Sequence, residues 1–69
     1  MSVHPSAIIS PKAKLAPGVS VGPYTVIGDN AAIGADTRIG SHCVIDGNTT
    51  IGQRCEIFTG AVVGSRPGS

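Results

Sequence analysis

A branched aliphatic residue occupies every sixth position of this chain, from Val3 to Val63. Eleven of its sixteen isoleucine, leucine and valine residues fall in that single register. A short fixed period is typical of solenoid proteins, and a six-residue period is typical of a parallel β-helix. Glycine and proline recur too often for a helix interior, and glycine does not recur every third residue as in collagen. The sequence therefore predicts an all-β fold, a parallel β-helix of hexapeptide repeats over residues 3–68.

Three hexads would form one triangular coil, so the eleven hexads predict a little under four 18-residue coils in a single domain, residues 1–69. Residues 18 positions apart should then stack on neighbouring coils with ordinary strand spacing. The interior is expected to contain three stacked columns: Val3, Val21, Ile39 and Ile57; Ile9, Ile27, Ile45 and Val63; and Leu15, Ile33 and Ile51.

The other hexad positions also follow rules, counting the aliphatic residue as the first position. The second position is glycine in six hexads, which predicts a corner where a side chain would be crowded or where φ must be positive. Proline occupies the third position in four hexads and fixes φ at a bend. The fifth position is small nearly throughout and should face inward beside the next first position.

The sixth position is aliphatic on only one of the three predicted faces. That stripe consists of Ile8, Val26, Val44 and Val62. An exposed aliphatic stripe on an otherwise polar prism predicts an interface, and Tyr24, His42 and Phe58 are expected on the same face. The alternative is that β-branched residues simply suit strands, although this does not explain their restriction to one face. A chain of 69 residues buries only about 60% of the surface that it exposes when unfolded, which also favours self-association.

Composition excludes several functional classes. Charged residues make up 13% of the chain and the net charge is +1, which argues against binding to nucleic acid or to a membrane surface. No apolar run is long enough to cross a bilayer, and residues 1–5 lack the features of a signal peptide. The sequence therefore predicts a cytoplasmic protein whose two cysteines are reduced.

Few residues could carry chemistry. The candidates for metal ligands of the imidazole or thiolate type are His4, His42, Cys43 and Cys55. Both cysteines should point inward on different faces, which predicts buried thiols and neither a metal site nor a disulfide. His42 should point outward, either as a surface or interface residue or as a general base at a subunit boundary without an identifiable partner. We predict no catalytic residue, no cofactor and no metal in this chain.

The amino-acid sequences of particular hexads resemble those of a known protein family. Residues 4–9, 15–19 and 21–28 (HPSAII, LAPGV and VGPYTVIG) look like the start of a hexapeptide acyltransferase. A second set of segments makes the resemblance more specific: residues 39–52 (IGSHCVIDGNTTIG), Glu56-Ile57-Phe58 and Val63-Gly64. They resemble the N-terminal coils of the acyl-carrier-protein-dependent UDP-N-acetylglucosamine O-acyltransferases. The resemblance covers residues 3–67.

The resemblance implies a left-handed coil, a cytoplasmic homotrimer and a role in the first step of lipid A synthesis. Members of this family transfer an R-3-hydroxyacyl chain from acyl carrier protein to the 3-hydroxyl of the sugar nucleotide. Their general base is a histidine in a later coil, and their active site lies between subunits. Neither His4 nor His42 matches that catalytic motif, so the resemblance implies a trimeric scaffold without an active site of its own.

Other interpretations remain open from the sequence. The chain could be a stand-alone structural module, natural or engineered, or a fragment of another hexapeptide acyltransferase. A γ-class carbonic anhydrase would need three zinc-binding histidines, and the chain has two. Gly68-Ser69 is expected to be a cloning remnant. The edge formed by residues 57–67 is expected to fray or to stack end to end on another copy.

Overall fold

Eleven short strands make up the regular structure of residues 2–64, the part of the chain that this computed structural model describes. Each strand joins the sixth residue of one hexad to the first residue of the next. The strands are β1 Ser2–Val3, β2 Ile8–Ile9, β3 Lys14–Leu15, β4 Ser20–Val21, β5 Val26–Ile27, β6 Ala32–Ile33, β7 Arg38–Ile39, β8 Val44–Ile45, β9 Thr50–Ile51, β10 Glu56–Ile57 and β11 Val62–Val63.

The strands form three parallel sheets, one for each side of a triangular prism. Sheet one has the order β1-β4-β7-β10, sheet two has β11-β8-β5-β2, and sheet three has β3-β6-β9. Every pair joins residues 18 positions apart, as in the alignment of Val21 with Ile39. The three predicted columns and their register are therefore confirmed. The architecture is a left-handed parallel β-helix.

The first hexad position supplies the core. Its side chains are buried in the middle coils and half-buried or exposed in the outer ones, since an outer coil has a neighbour on one side only. The buried members are Val21, Ile27, Ile33, Ile39, Ile45 and Ile51. Ile9, Leu15, Ile57 and Val63 pack partly buried against them.

The fourth hexad position makes the corners. From Gly18 to Gly60 every residue at this position has a positive φ, and six of these eight residues are not glycine: Tyr24, Asn30, Asp36, His42, Asn48 and Arg54. A proline at the third position followed by a positive φ at the fourth, as in Pro17-Gly18, is the signature of a type II turn. The corners from Gly18 onward thus have a left-handed residue at the fourth position, whereas Ser6 and Lys12, at the same position in the first coil, do not.

Glycines at the second position allow the backbones of neighbouring coils to approach each other closely. A Cβ added at Gly34 would lie 2.6 Å from the carbonyl carbon of Gly52, and one added at Gly22 would lie 2.7 Å from that of Gly40. Of the two reasons that the sequence suggested, crowding is therefore the correct one for Gly22 and Gly34, whereas a Cβ at Gly52 would meet nothing closer than the Cys55 Sγ at 3.9 Å among the described residues. Positive φ occurs at the second position only for Gly64 among the described residues.

The fifth position faces the interior, as predicted. Val19, Thr25, Ala31, Thr37 and Cys43 are completely buried. Small side chains are required here because each lies beside a corner of the prism, where the interior is narrowest.

Two sets of predictions fall wholly or partly outside the described residues. Gly68-Ser69, expected to be a cloning remnant, lies beyond residue 64, and so do residues 65–67 of the expected fraying edge. The described part of that edge, β10 and β11, is paired with β7 and β8. Within residues 2–64 no helix is long and apolar enough to cross a membrane.

Candidate subunit interface

Sheet two carries the aliphatic stripe on its outer surface. Ile8, Val26, Val44 and Val62 are strand partners of one another on consecutive coils, so their side chains form one continuous row. They are between 38% and 66% exposed, although their inward neighbours in the same strands are buried or half-buried. The row and its exposure are as the sequence predicts.

The other two sheets present different chemistry at the same position. Sheet one has Ser20, Arg38 and Glu56 in register, and sheet three has Lys14, Ala32 and Thr50. Because all three sheets have the same backbone geometry, strand preference alone does not account for the aliphatic row on one of them. The stripe therefore remains a candidate for contact with another molecule.

The corner between sheets one and two carries every ring side chain of the described chain other than proline: His4, Tyr24, His42 and Phe58. Tyr24 and His42 lie one coil apart with their ring centroids 5.1 Å from each other and their planes tilted by 34°. Tyr24 is 63% exposed and Phe58 is 72% exposed. Tyr24, His42 and Phe58 were expected on the same face as the stripe, but the structure places them in the turns that border this face, at the edge of sheet two. We call the four residues His4, Tyr24, His42 and Phe58 the aromatic corner.

The remaining corners are polar. The corner between sheets two and three contains Lys12, Asp29 and Asp46, and the Ser10 hydroxyl donates a hydrogen bond to the Asp29 carboxylate there. The corner between sheets three and one contains Asp36 and Arg54. Aromatic and aliphatic exposed surface is therefore concentrated on one side of the prism.

The Ser6 hydroxyl lies within hydrogen-bond distance of a histidine, a combination that in other settings forms a nucleophile and its base. The Ser6 oxygen is 2.8 Å from Nδ1 of His4, and it also accepts a hydrogen bond from the Tyr24 backbone N–H. Nucleophilic catalysis requires a third group that orients the base. In residues 2–64 no three His, Cys, Asp or Glu side chains converge, so this contact has the composition of a turn cap.

The cysteines lie apart from each other, as predicted, and both are free thiols. Cys43 is fully buried, and its Sγ lies 3.1 Å from the carbonyl oxygen of Phe58 as a hydrogen-bond donor. Cys55 is only half-buried, so the prediction of a buried thiol is confirmed for Cys43 alone. These contacts are those of structural side chains.

A pair of buried threonines was not singled out from the sequence. The Thr25 hydroxyl donates to the Gly40 carbonyl oxygen at 2.7 Å and accepts from the Cys43 N–H at 3.2 Å. Thr37 repeats the arrangement with Gly52 and Cys55 at 2.7 and 3.3 Å. The sequence did contain a signal for them, because Thr25 and Thr37 occupy the inward-facing fifth hexad position, and a buried hydroxyl must form hydrogen bonds.

Open grooves run along sheets one and three. One of about 330 Å³ runs along sheet one past Arg38, Glu56 and Phe58, and the other of about 310 Å³ runs along sheet three past Ala32 and Gly34. The polar side chains of the first groove include those of Ser20, Arg38 and Glu56, whereas the second is lined mainly by aliphatic side chains. The groove on sheet one is bordered by the aromatic corner.

Comparisons with known proteins point to one group. The chain matches the crystal structure of a UDP-N-acetylglucosamine O-acyltransferase from Moraxella catarrhalis with a TM-score of 0.94 and 40% identity, over 100% of this chain and 27% of that one. It matches a UDP-N-acetylglucosamine acyltransferase of Francisella novicida with a TM-score of 0.92 and 37% identity, over 97% of this chain and 24% of that one. The predicted resemblance to these acyltransferases is confirmed.

The chain spans about a quarter of the length of these solved acyltransferases. No family model matches the chain, and neither does any curated protein. The similarity to the acyltransferases therefore rests on the β-helix together with 37–40% identity over essentially the whole chain.

Proposed function

We propose that this chain forms the first coils of a cytoplasmic, homotrimeric UDP-N-acetylglucosamine 3-O-acyltransferase of lipid A synthesis, and that its own role is structural. The observation that carries the proposal is the match over the entire chain to about a quarter of an acyltransferase.

In the complete enzyme, acyl carrier protein would deliver a 3-hydroxyacyl chain to the 3-hydroxyl of the sugar nucleotide. These coils would contribute a stiff base on which later coils stack. Each coil extends the three sheets by one strand, so the orientation of every later coil depends on the register that these coils establish. Their second contribution would be the contact between subunits.

Activity measurements on a chimera test the structural role. Residues 2–64 would replace the matching coils of the Moraxella catarrhalis acyltransferase, and acyl transfer to UDP-N-acetylglucosamine would be measured for the chimera and for the isolated 69-residue chain. We expect turnover by the chimera and none by the isolated chain. An inactive but folded chimera would favour a stand-alone structural module, and turnover by the isolated chain would refute the structural role.

The stripe supports the proposed self-association because it is the only continuous exposed aliphatic row on the described sheets. Full burial of one such side chain contributes about 1.5–3 kcal/mol. Replacing Val26 and Val44 with lysine should therefore give a monomer or an unfolded chain. The matched control is Ala32→Lys with Thr50→Lys on sheet three, which should leave the solution mass unchanged. An unchanged mass of the Val26→Lys/Val44→Lys variant would exclude the stripe as the contact.

A further inference from the structure

The relative position of the aromatic corner and the stripe restricts how copies of this chain can assemble. The three sheets give the prism a triangular section, so each corner points about 60° away from the outward normal of either sheet that meets there. The aromatic corner and the stripe on sheet two are therefore separated by about 60° around the long axis.

That separation has a geometrical consequence for a ring with parallel prism axes. If one patch of each copy contacts a different patch of the next, the rotation between copies is about 180° minus the angle between the patches. Patches about 60° apart give a rotation of about 120°, which closes after three copies. Patches on two different sheets, about 120° apart, would close only after six. A stripe packed against another stripe would close as a dimer.

We infer that the aromatic corner of one copy packs onto the aliphatic stripe of the next, and that three such contacts close the ring. This inference rests on the homotrimer of the proposed function and names the surfaces that form it. Sheet two has a second neighbouring corner at the same angle, but that corner carries Lys12, Asp29 and Asp46. Charged groups are depleted from the centres of interfaces and aromatic rings are enriched there.

A closed ring also fixes which residues meet. Closed rotational symmetry has no translation along its axis, so residues in contact lie at the same height. Tyr24 and Val26 lie in the same coil and two positions apart, and so do His42 and Val44. Tyr24 of each copy should therefore contact Val26 of its neighbour, and His42 should contact Val44.

The backbone of the aromatic corner provides a way to test this without disturbing the fold. Tyr24 and His42 have φ values of 60° and 55°, which asparagine adopts more readily than tyrosine. Asn30 and Asn48 already occupy the equivalent position in other hexads. Replacing both Tyr24 and His42 with asparagine thus removes the rings and preserves the turn.

Sedimentation of the Tyr24→Asn/His42→Asn variant should show association weakened roughly tenfold or more, because central aromatic residues carry much of an interface's stability. The matched control is Asp36→Asn, which changes a residue of the same backbone conformation at the corner opposite sheet two. The control should retain the mass of the unmodified chain. Equal association of the double variant and the unmodified chain would refute the inference.

Cross-linking tests which surfaces meet. Cys43→Thr and Cys55→Thr give a background without cysteine, and they repeat the threonines that Thr25 and Thr37 already place one coil earlier. A chain with Tyr24→Cys and a chain with Val26→Cys would be refolded together and oxidised. Because a disulfide requires close approach, the mixed product should exceed either like-to-like product roughly tenfold. Like-to-like products of Val26→Cys in equal amount would overturn the inference.

The outcomes separate the two proposals. A monomeric unmodified chain would contradict the proposed homotrimer and this inference together. A trimer that persists in the Tyr24→Asn/His42→Asn variant, or that yields Val26-to-Val26 cross-links, would leave the homotrimer standing and contradict only the contact between the corner and the stripe.

Discussion

At the scale of single residues, the interior is stabilised by polar groups as well as by aliphatic packing. The Thr25 hydroxyl connects two neighbouring coils, since it accepts from the Cys43 N–H and donates to the Gly40 carbonyl. Both Thr25 and Thr37 are fully buried, and no buried side-chain polar atom in the described residues lacks a partner. Loss of such a hydroxyl leaves an N–H without its acceptor in a place that water does not reach.

Thr25→Val should lower the free energy of unfolding by about 1–3 kcal/mol, because it retains the shape of the side chain and leaves a buried donor unsatisfied. Thr50→Val is the matched control, since Thr50 is exposed on sheet three and should change the free energy of unfolding by less than about 0.5 kcal/mol. Urea denaturation at equal chain concentration measures both. Equal losses would show that the hydrogen bonds of Thr25 contribute nothing.

The left-handed corner residues make a second prediction at this scale. Arg54 has a φ of 52°, a conformation that is costly for a β-branched side chain. Arg54→Val should therefore lower the free energy of unfolding by about 1–2 kcal/mol. Arg38→Val is the comparison, because Arg38 is also exposed but lies in strand β7, where valine is favoured. Thermal melts should rank Arg38→Val above Arg54→Val, and the reverse order would contradict the assignment of strain to the corner.

At the scale of the coil, the close approach of consecutive corners depends on glycine. The Cβ of an alanine at position 34 would meet the carbonyl carbon and oxygen of Gly52 at 2.6 and 2.7 Å and the Gln53 nitrogen at 2.7 Å. These are backbone atoms of the next coil, so relief requires the coils to separate. A Cβ at Gly52 itself would meet only the Cys55 Sγ at 3.9 Å among the described residues.

Gly34→Ala is accordingly expected to reduce the free energy of unfolding by about 1–3 kcal/mol through overpacking. Gly52→Ala, at the same hexad position one coil later, should have little effect. Amide exchange would localise the damage, with faster exchange in β6 and β9 for Gly34→Ala alone. Indistinguishable exchange in the two variants would mean that the coils adjust without cost.

The sequence predicts the coil well because the six-residue period determines its strands and its core. A branched aliphatic residue at each first position determines the strand, the inward face and the partner 18 residues away, so the core follows from the repeat. The positive φ of Tyr24 and Arg54 was not foreseen, because neither residue prefers that conformation. The turn at these corners imposes it, and Gly18, Asn30, Asn48 and Gly60 at the same hexad position were the available signal.

At the scale of the whole molecule, the candidate interface was predictable in part. The aliphatic stripe follows from the repeat, whereas the position of Tyr24, His42 and Phe58 at a corner depends on where the chain bends. That difference matters for assembly, since a corner and a sheet face at about 60° produce a ring of three and two sheet faces do not. If the proposed contact between corner and stripe forms, the six-residue period determines the number of subunits.

Sedimentation equilibrium of the purified 69-residue chain tests this connection most directly. The chain has a mass of 6.9 kDa, and we predict a folded particle of three chains across the measured concentration range. Two chains would indicate contact between stripes and six would indicate contact between two sheets, either of which would contradict the corner-on-stripe arrangement. A folded monomer would contradict the central claim that the aliphatic stripe of this β-helix is a subunit interface.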